Sequence, residues 1–173
     1  MLVAAAWCMA AMPAHAQRTA PGLWEIKIEQ THADGEIAKQ LAEAKRQLAS
    51  MPPEARAMMA QMLSQQGLSL DDNGGVTVRI CMTPEDAERA GIPQHDEDCD
   101  YEILERGADR LRARIQCRDE GRTRGEGEVR FEGDRAYRGS FDVESRMDGK
   151  PMRMKMTQQA RWLAEDCSGA FGR

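Results

Sequence analysis

Histidine and aromatic residues are both scarce in this sequence, with three His, three Trp, two Tyr and three Phe in 173 residues. The shortage of histidine narrows the chemistry, because imidazole is the commonest general base and metal ligand near neutral pH. His15, His32 and His95 lie far apart, and neither G-x-S-x-G nor H-E-x-x-H occurs. A nucleophile activated by an oriented base therefore has no visible partner, so the chain reads as a noncatalytic protein with no catalytic residue and no cofactor. C-x-x-C pairs are absent as well, which removes the usual signature of a zinc or thiol-redox site. Gly121, Gly125 and Gly127 sit in a strand-like context with no helix behind them, so they read as bends or bulges rather than a phosphate loop. Basic residues are outnumbered, 24 against 29 acids, and the net charge of −5 argues against a nucleic-acid partner held by phosphate neutralisation. No segment after the first sixteen residues approaches the roughly 20 consecutive apolar residues of a transmembrane helix.

Met1 to Ala16 holds no Lys, Arg, Asp or Glu, is mostly apolar and ends in Ala14-His15-Ala16, a small-x-small pattern that a signal peptidase reads. The expected organisation is a signal peptide over 1–16 and a single exported, β-rich domain over 17–173, located in the periplasm or secreted. That domain keeps Cys81, Cys99, Cys117 and Cys167, an even number that in an oxidising compartment reads as two disulfides.

Leu23 to Gln30 alternates, with Trp24, Ile26 and Ile28 on one side and Glu25, Lys27 and Glu29 on the other, the period of a half-buried strand. Ile37, Leu41, Ala44 and Leu48 recur at helical spacing, and Pro52-Pro53 then opens a second helix striped by Met51, Ala55, Met58, Met59, Met62 and Leu63. A helical hairpin over about 36–66 is thus inserted after the first strand, and packing of its stripe onto the sheet is expected. Ser69 to Gly75 reads as a polar linker. Val76, Val78, Ile80 and Met82 form the next strand, followed by Thr83-Pro84-Glu85-Asp86, a capped helix start ending near Gly91. From Cys99 the chain is a meander of hairpins. Folding about Gly107 and Ala108 sets Tyr101 opposite Ile115 and Cys99 opposite Cys117, so the register that buries apolar residues also aligns two sulfurs. This leaves Cys81 with Cys167. A turn at Gly133-Asp134 places Phe131 across from Tyr137 and Phe141 across from Gly127, and Asp148-Gly149 closes a two-residue hairpin. The fold class is α+β: an antiparallel curved sheet or partly closed barrel of about seven strands, with the inserted helical hairpin.

Several of these pieces, in this order, carry a resemblance. They are Pro21-Gly22-Leu23-Trp24-Glu25, Met51-Pro52-Pro53-Glu54, Ile80-Cys81-Met82-Thr83-Pro84-Glu85, Gly125-Glu126-Gly127-Glu128, Tyr137-Arg138-Gly139, the Met152 to Met156 alternation, Arg161-Trp162-Leu163 and Asp166-Cys167. Together they resemble the proteobacterial exported family called domain of unknown function 3617. The resemblance implies a periplasmic or secreted protein with no assigned activity, and it brings no catalytic residues.

The methionines offer a metal hypothesis, since Met58 and Met62 on a helix and Met152, Met154 and Met156 on a strand are soft thioether donors suited to Cu(I). Methionine at such spacings more often fills a core. His95 with Asp96, Glu97, Asp98 and Asp100 reads as a solvated acidic loop. Trp24, Tyr101, Phe131, Tyr137, Phe141, Met154 and Trp162 share the apolar side of the sheet and are either core or the wall of a pocket. The favoured function is a noncatalytic envelope module for a small apolar or amphipathic ligand, ahead of a structural or stress-related protein that contacts another envelope protein.

Overall fold

The computed structural model describes residues 19–33, 35–71, 75–88, 98–118, 122–147 and 149–170. The leader, the helix stop expected near Gly91, the acidic run His95 to Glu97, and Gly121 and Asp148 lie outside the described residues, as does the side chain of His32. Eight strands form one antiparallel sheet: β1 (Gly22–Ala33), β2 (Leu68–Leu70), β3 (Val76–Met82), β4 (Cys99–Arg106), β5 (Arg110–Cys117), β6 (Arg124–Phe131), β7 (Ala136–Met147) and β8 (Lys150–Ala164). Their spatial order is β2-β3-β1-β8-β7-β6-β5-β4, so the sheet is curved but does not close. Helices α1 (Gly35–Ser50) and α2 (Pro53–Gln65) join β1 to β2, and α3 (Pro84–Glu88) follows β3.

Alternation decides the pairing. Trp24, Ile26 and Ile28 of β1 face Ile80, Val78 and Val76 of β3 on one flank. On the other flank Trp24 and Ile26 face Trp162 and Ala160 of β8. A slip of one residue would turn this apolar row to the other side, which is why the register is firmly specified. Gly22 opens β1 at φ +126°, where an added Cβ would sit 2.3 Å from the carbonyl oxygen of Ala164. Only glycine lets the first and last long strands approach there.

The most deeply buried cluster comprises Trp24, Ile26, Met82, Ala87 and Ala160, with Tyr137 and Trp162 packed against it. α3 covers this end. Its start is fixed by reciprocal capping, the Asp86 N–H donating to Thr83 Oγ1 at 3.1 Å and the Thr83 N–H to Asp86 Oδ2 at 3.3 Å. Disulfides join Cys81 to Cys167 and Cys99 to Cys117. The first ties β3 to the tail after β8, spanning β1 between them. No helix among the described residues is long and apolar enough to cross a membrane.

The α+β class and the curved antiparallel sheet hold, with eight strands for the expected seven or so, because Leu68 to Leu70, placed partly in a linker, pairs with Val78 to Val76. One expectation needs correction. The helical hairpin does not cover the sheet: α2 packs beside edge strand β2 with no buried residue, and Met58 and Met62 are 72% and 65% exposed. On α1, Leu41 and Leu48 are only half-buried and Ala44 is exposed. Gly67, directly after α2, leads into the edge strand, so the helix ends at the rim of the sheet rather than over its centre.

Candidate functional site: an uncovered apolar face and an arginine cleft

The two faces of the sheet differ in kind. On one, charges are paired across strands: Arg161 and Arg79 on Glu25, Arg110 on Glu128, Arg114 on Glu126 and Glu102, and Lys155 on Asp142. Exposed pairs of this kind add little stability each. The other face is mainly apolar, interrupted by Gln30 beside Met156 and by Gln158 beside Ile28. Away from the buried end it carries Ile28, Met152, Met154, Met156, Phe141, Val143, Val129, Ile115 and Tyr101, all half-buried, and Ile103 at 42% exposure. The described helices make their main contacts elsewhere, α2 with β2 and α3 with β3. Phe141 lies flat across β6 and β7, where a Cβ on Gly127 or Gly139 would come within 2.5 and 2.7 Å of its ring. The two glycines therefore make the seat of that ring.

The seven candidate pocket residues are divided by this geometry. Trp24, Phe131 and Tyr137 come together: the Trp24 and Tyr137 rings are 5.7 Å apart and those of Phe131 and Tyr137 are 6.3 Å apart. Trp24 is fully enclosed, its Nε1 donating to the Ala20 carbonyl at 2.8 Å, so it is core. Trp162 is pinned at the rim, donating to the Pro21 carbonyl at 2.9 Å with the Arg135 guanidinium 4.5 Å from its ring. Phe141 and Met154 lie on the uncovered stretch, whereas Tyr101 stands on edge strand β4, away from the rest.

Burial pushes the Tyr137 phenol up to about 12. An unfolded tyrosine ionises near 10, so the unfolded chain loses its proton first and stability falls as pH rises from about 10 towards 12, remaining whole below 10. The expected loss is at most about 2.7 kcal/mol. Urea unfolding between pH 9 and 12 tests it, since Tyr137→Phe should flatten that part of the slope; an unchanged slope would contradict the buried phenol.

The methionines do not form one cluster. Met152, Met154 and Met156 lie half-buried along β8, but α2 sits by β2, three strands or about 14 Å away in the sheet order, with Met58 and Met62 in solvent. Among the described residues, no group of three or more His, Cys, Asp or Glu is placed to hold a metal ion.

A cleft of about 970 Å³ opens where the ends of β5 and β7 meet the starts of β6 and β8. Its walls bring Cys117, Ser145 and Met152, from the apolar face, together with Arg118, Arg122, Arg124, Arg146 and Arg153. Glu144 is the acid in its lining, and it is shared: Arg124 donates to it at 2.7 Å and Arg153 donates to it as well. Hydrogen bonds from these two guanidinium groups hold the Glu144 carboxyl below the usual carboxylate range. Sequence reasoning missed this cleft, because its arginines are spread over four segments and only the pairing of strand ends gathers them.

The fold and site define an open, disulfide-linked antiparallel sheet with one apolar and one ion-paired face. The chain belongs to the family described as protein of unknown function DUF3617, whose profile matches residues 19–167. It is also similar to a Pseudomonas putida protein described as "Uncharacterized protein in lpd-3 5'region". The two are 36% identical over 118 residues, which is 67% of this chain and 81% of that protein. No solved structure matches significantly.

Proposed function

We propose that this chain is a noncatalytic binding protein of the bacterial envelope, holding an apolar or amphipathic ligand against the uncovered face of its sheet. The observation that carries this reading is the half-buried, mainly apolar surface that runs over six strands from Ile28 to Tyr101, away from the strands that the described helices chiefly contact. Contiguous apolar surface of this extent marks an interaction site on a water-facing protein. The two disulfides and the signal-like leader support export to an oxidising compartment.

Calorimetric titration with a lysophospholipid below its micelle concentration tests the reading. One-to-one binding with a negative heat-capacity change is expected. Val143→Glu, which puts a carboxylate on the apolar face, should weaken binding at least about tenfold, while Ser140→Glu on the opposite face leaves it unchanged. Absence of uptake by the folded wild-type protein overturns the reading.

A further inference from the structure

Resting on that reading, we propose that the ligand is an amphiphile with an anionic headgroup, its head held in the arginine cleft and its acyl chain laid along the apolar face. Elsewhere on the sheet one acid commonly serves two arginines, as Glu128 serves Arg110 and Arg130 and Glu126 serves Arg112 and Arg114. In the cleft Glu144 likewise serves Arg124 and Arg153, and Arg118 is engaged by Asp100 at 2.7 Å. Arg122 and Arg146 have no ion pair among the described residues. Unpaired guanidinium groups beside a water-filled cleft suit a phosphate or carboxylate, which their planar forks grip in two-point fashion.

The second half of the argument is continuity. Ser145 and Met152, which line the cleft, are partners across β7 and β8, and the next rungs of the same face are Val143 with Met154 and Phe141 with Met156. The next rung pairs Gly139 with the polar Gln158, so the apolar track runs from Met152 to Met156, about 13 Å at strand spacing. Arg124, Arg146 and Arg153 stand at strand positions of the ion-paired face, so a charged head in the cleft passes its chain over the end of the sheet, at Ser145 and Met152, onto an apolar path that leads towards the buried end. A neutral amphiphile would use the path and leave Arg122 and Arg146 unanswered.

The test compares lysophosphatidylglycerol with lysophosphatidylcholine of the same acyl chain, both below their micelle concentrations. Wild-type protein should prefer the anionic lipid by about tenfold or more, and raising the salt to half-molar should erode that preference without weakening the zwitterionic lipid. The R122Q/R146Q variant should reduce the preference to within about twofold and keep its affinity for lysophosphatidylcholine. R56Q/R106Q removes the same charge from α2 and the far end of β4, and should keep the preference. Equal wild-type affinity for the two lipids overturns the anionic headgroup and leaves the binding reading standing; no uptake of either overturns both. Loss of preference in R56Q/R106Q as large as in R122Q/R146Q overturns the cleft. Glycerol phosphate binding as tightly as the lysolipid would mark a small-anion site and overturn the amphiphile. If wild type binds neither lipid and sediments as a dimer, the apolar face belongs to a second copy.

Discussion

Replacing Cys81 and Cys167 together by serine is expected to lower the unfolding free energy by about 4 to 5 kcal/mol, the largest effect of any change in this chain. The bond closes a loop of 86 residues, against 18 for Cys99 with Cys117. Chain entropy makes the longer loop worth about 1.4 kcal/mol more. Geometry adds to this. The bond links the two neighbours of β1 and fixes a tail in which Cys167 and Ala170 are both buried. A domain of this size has only about 5 to 15 kcal/mol in total, so the double variant should unfold at a much lower urea concentration. The Cys99→Ser, Cys117→Ser variant should lose about 3 kcal/mol by the same measurement. A larger loss for the short loop than for the long one would contradict this account of what staples the sheet.

Trp24→Ala is expected to cost about 3 to 5 kcal/mol, because the side chain is fully enclosed and its removal leaves a cavity between two strands. The indole touches both flanks of β1, through Ile80 on β3 and the Ala160 to Trp162 segment of β8, and it orders the chain before β1 through the Ala20 carbonyl. Trp162→Ala is the matched control. That ring is half-exposed at the rim, so its loss should cost about 1 to 2 kcal/mol. Equal penalties in urea denaturation would mean that the core is not centred on Trp24.

The sheet from Cys99 onward was legible in the sequence because each hairpin is constrained twice, by a turn signal and by alternation. Phe131 opposite Tyr137, Phe141 opposite Gly127 and Tyr101 opposite Ile115 all follow from counting back from a turn. β2 was not legible, since three residues hold too little alternation to outweigh the polar linker around them. The periodicity of α1 and α2 marks an apolar stripe but says nothing about what meets it, and here the α2 stripe is half-buried at Ala55, Met59 and Leu63 and in water at Met58 and Met62. The same gap hides part of the candidate site. Alternation puts Tyr101 and Trp24 on one face, but the strand order sets them five strands apart. Arg118, Arg122, Arg124, Arg146 and Arg153 look like ordinary surface residues until four strand ends are brought side by side.

Methyl NMR of the methionines reads the central claim directly, because they sample both the uncovered face and the solvent-exposed helix. On adding lysophosphatidylglycerol to wild-type protein, the methyls of Met152, Met154 and Met156 should shift progressively to saturation. Those of Met58 and Met62 on α2 and of buried Met82 should stay in place. Shifts confined to Met58 and Met62, or no shift along β8, would contradict a ligand held on the sheet.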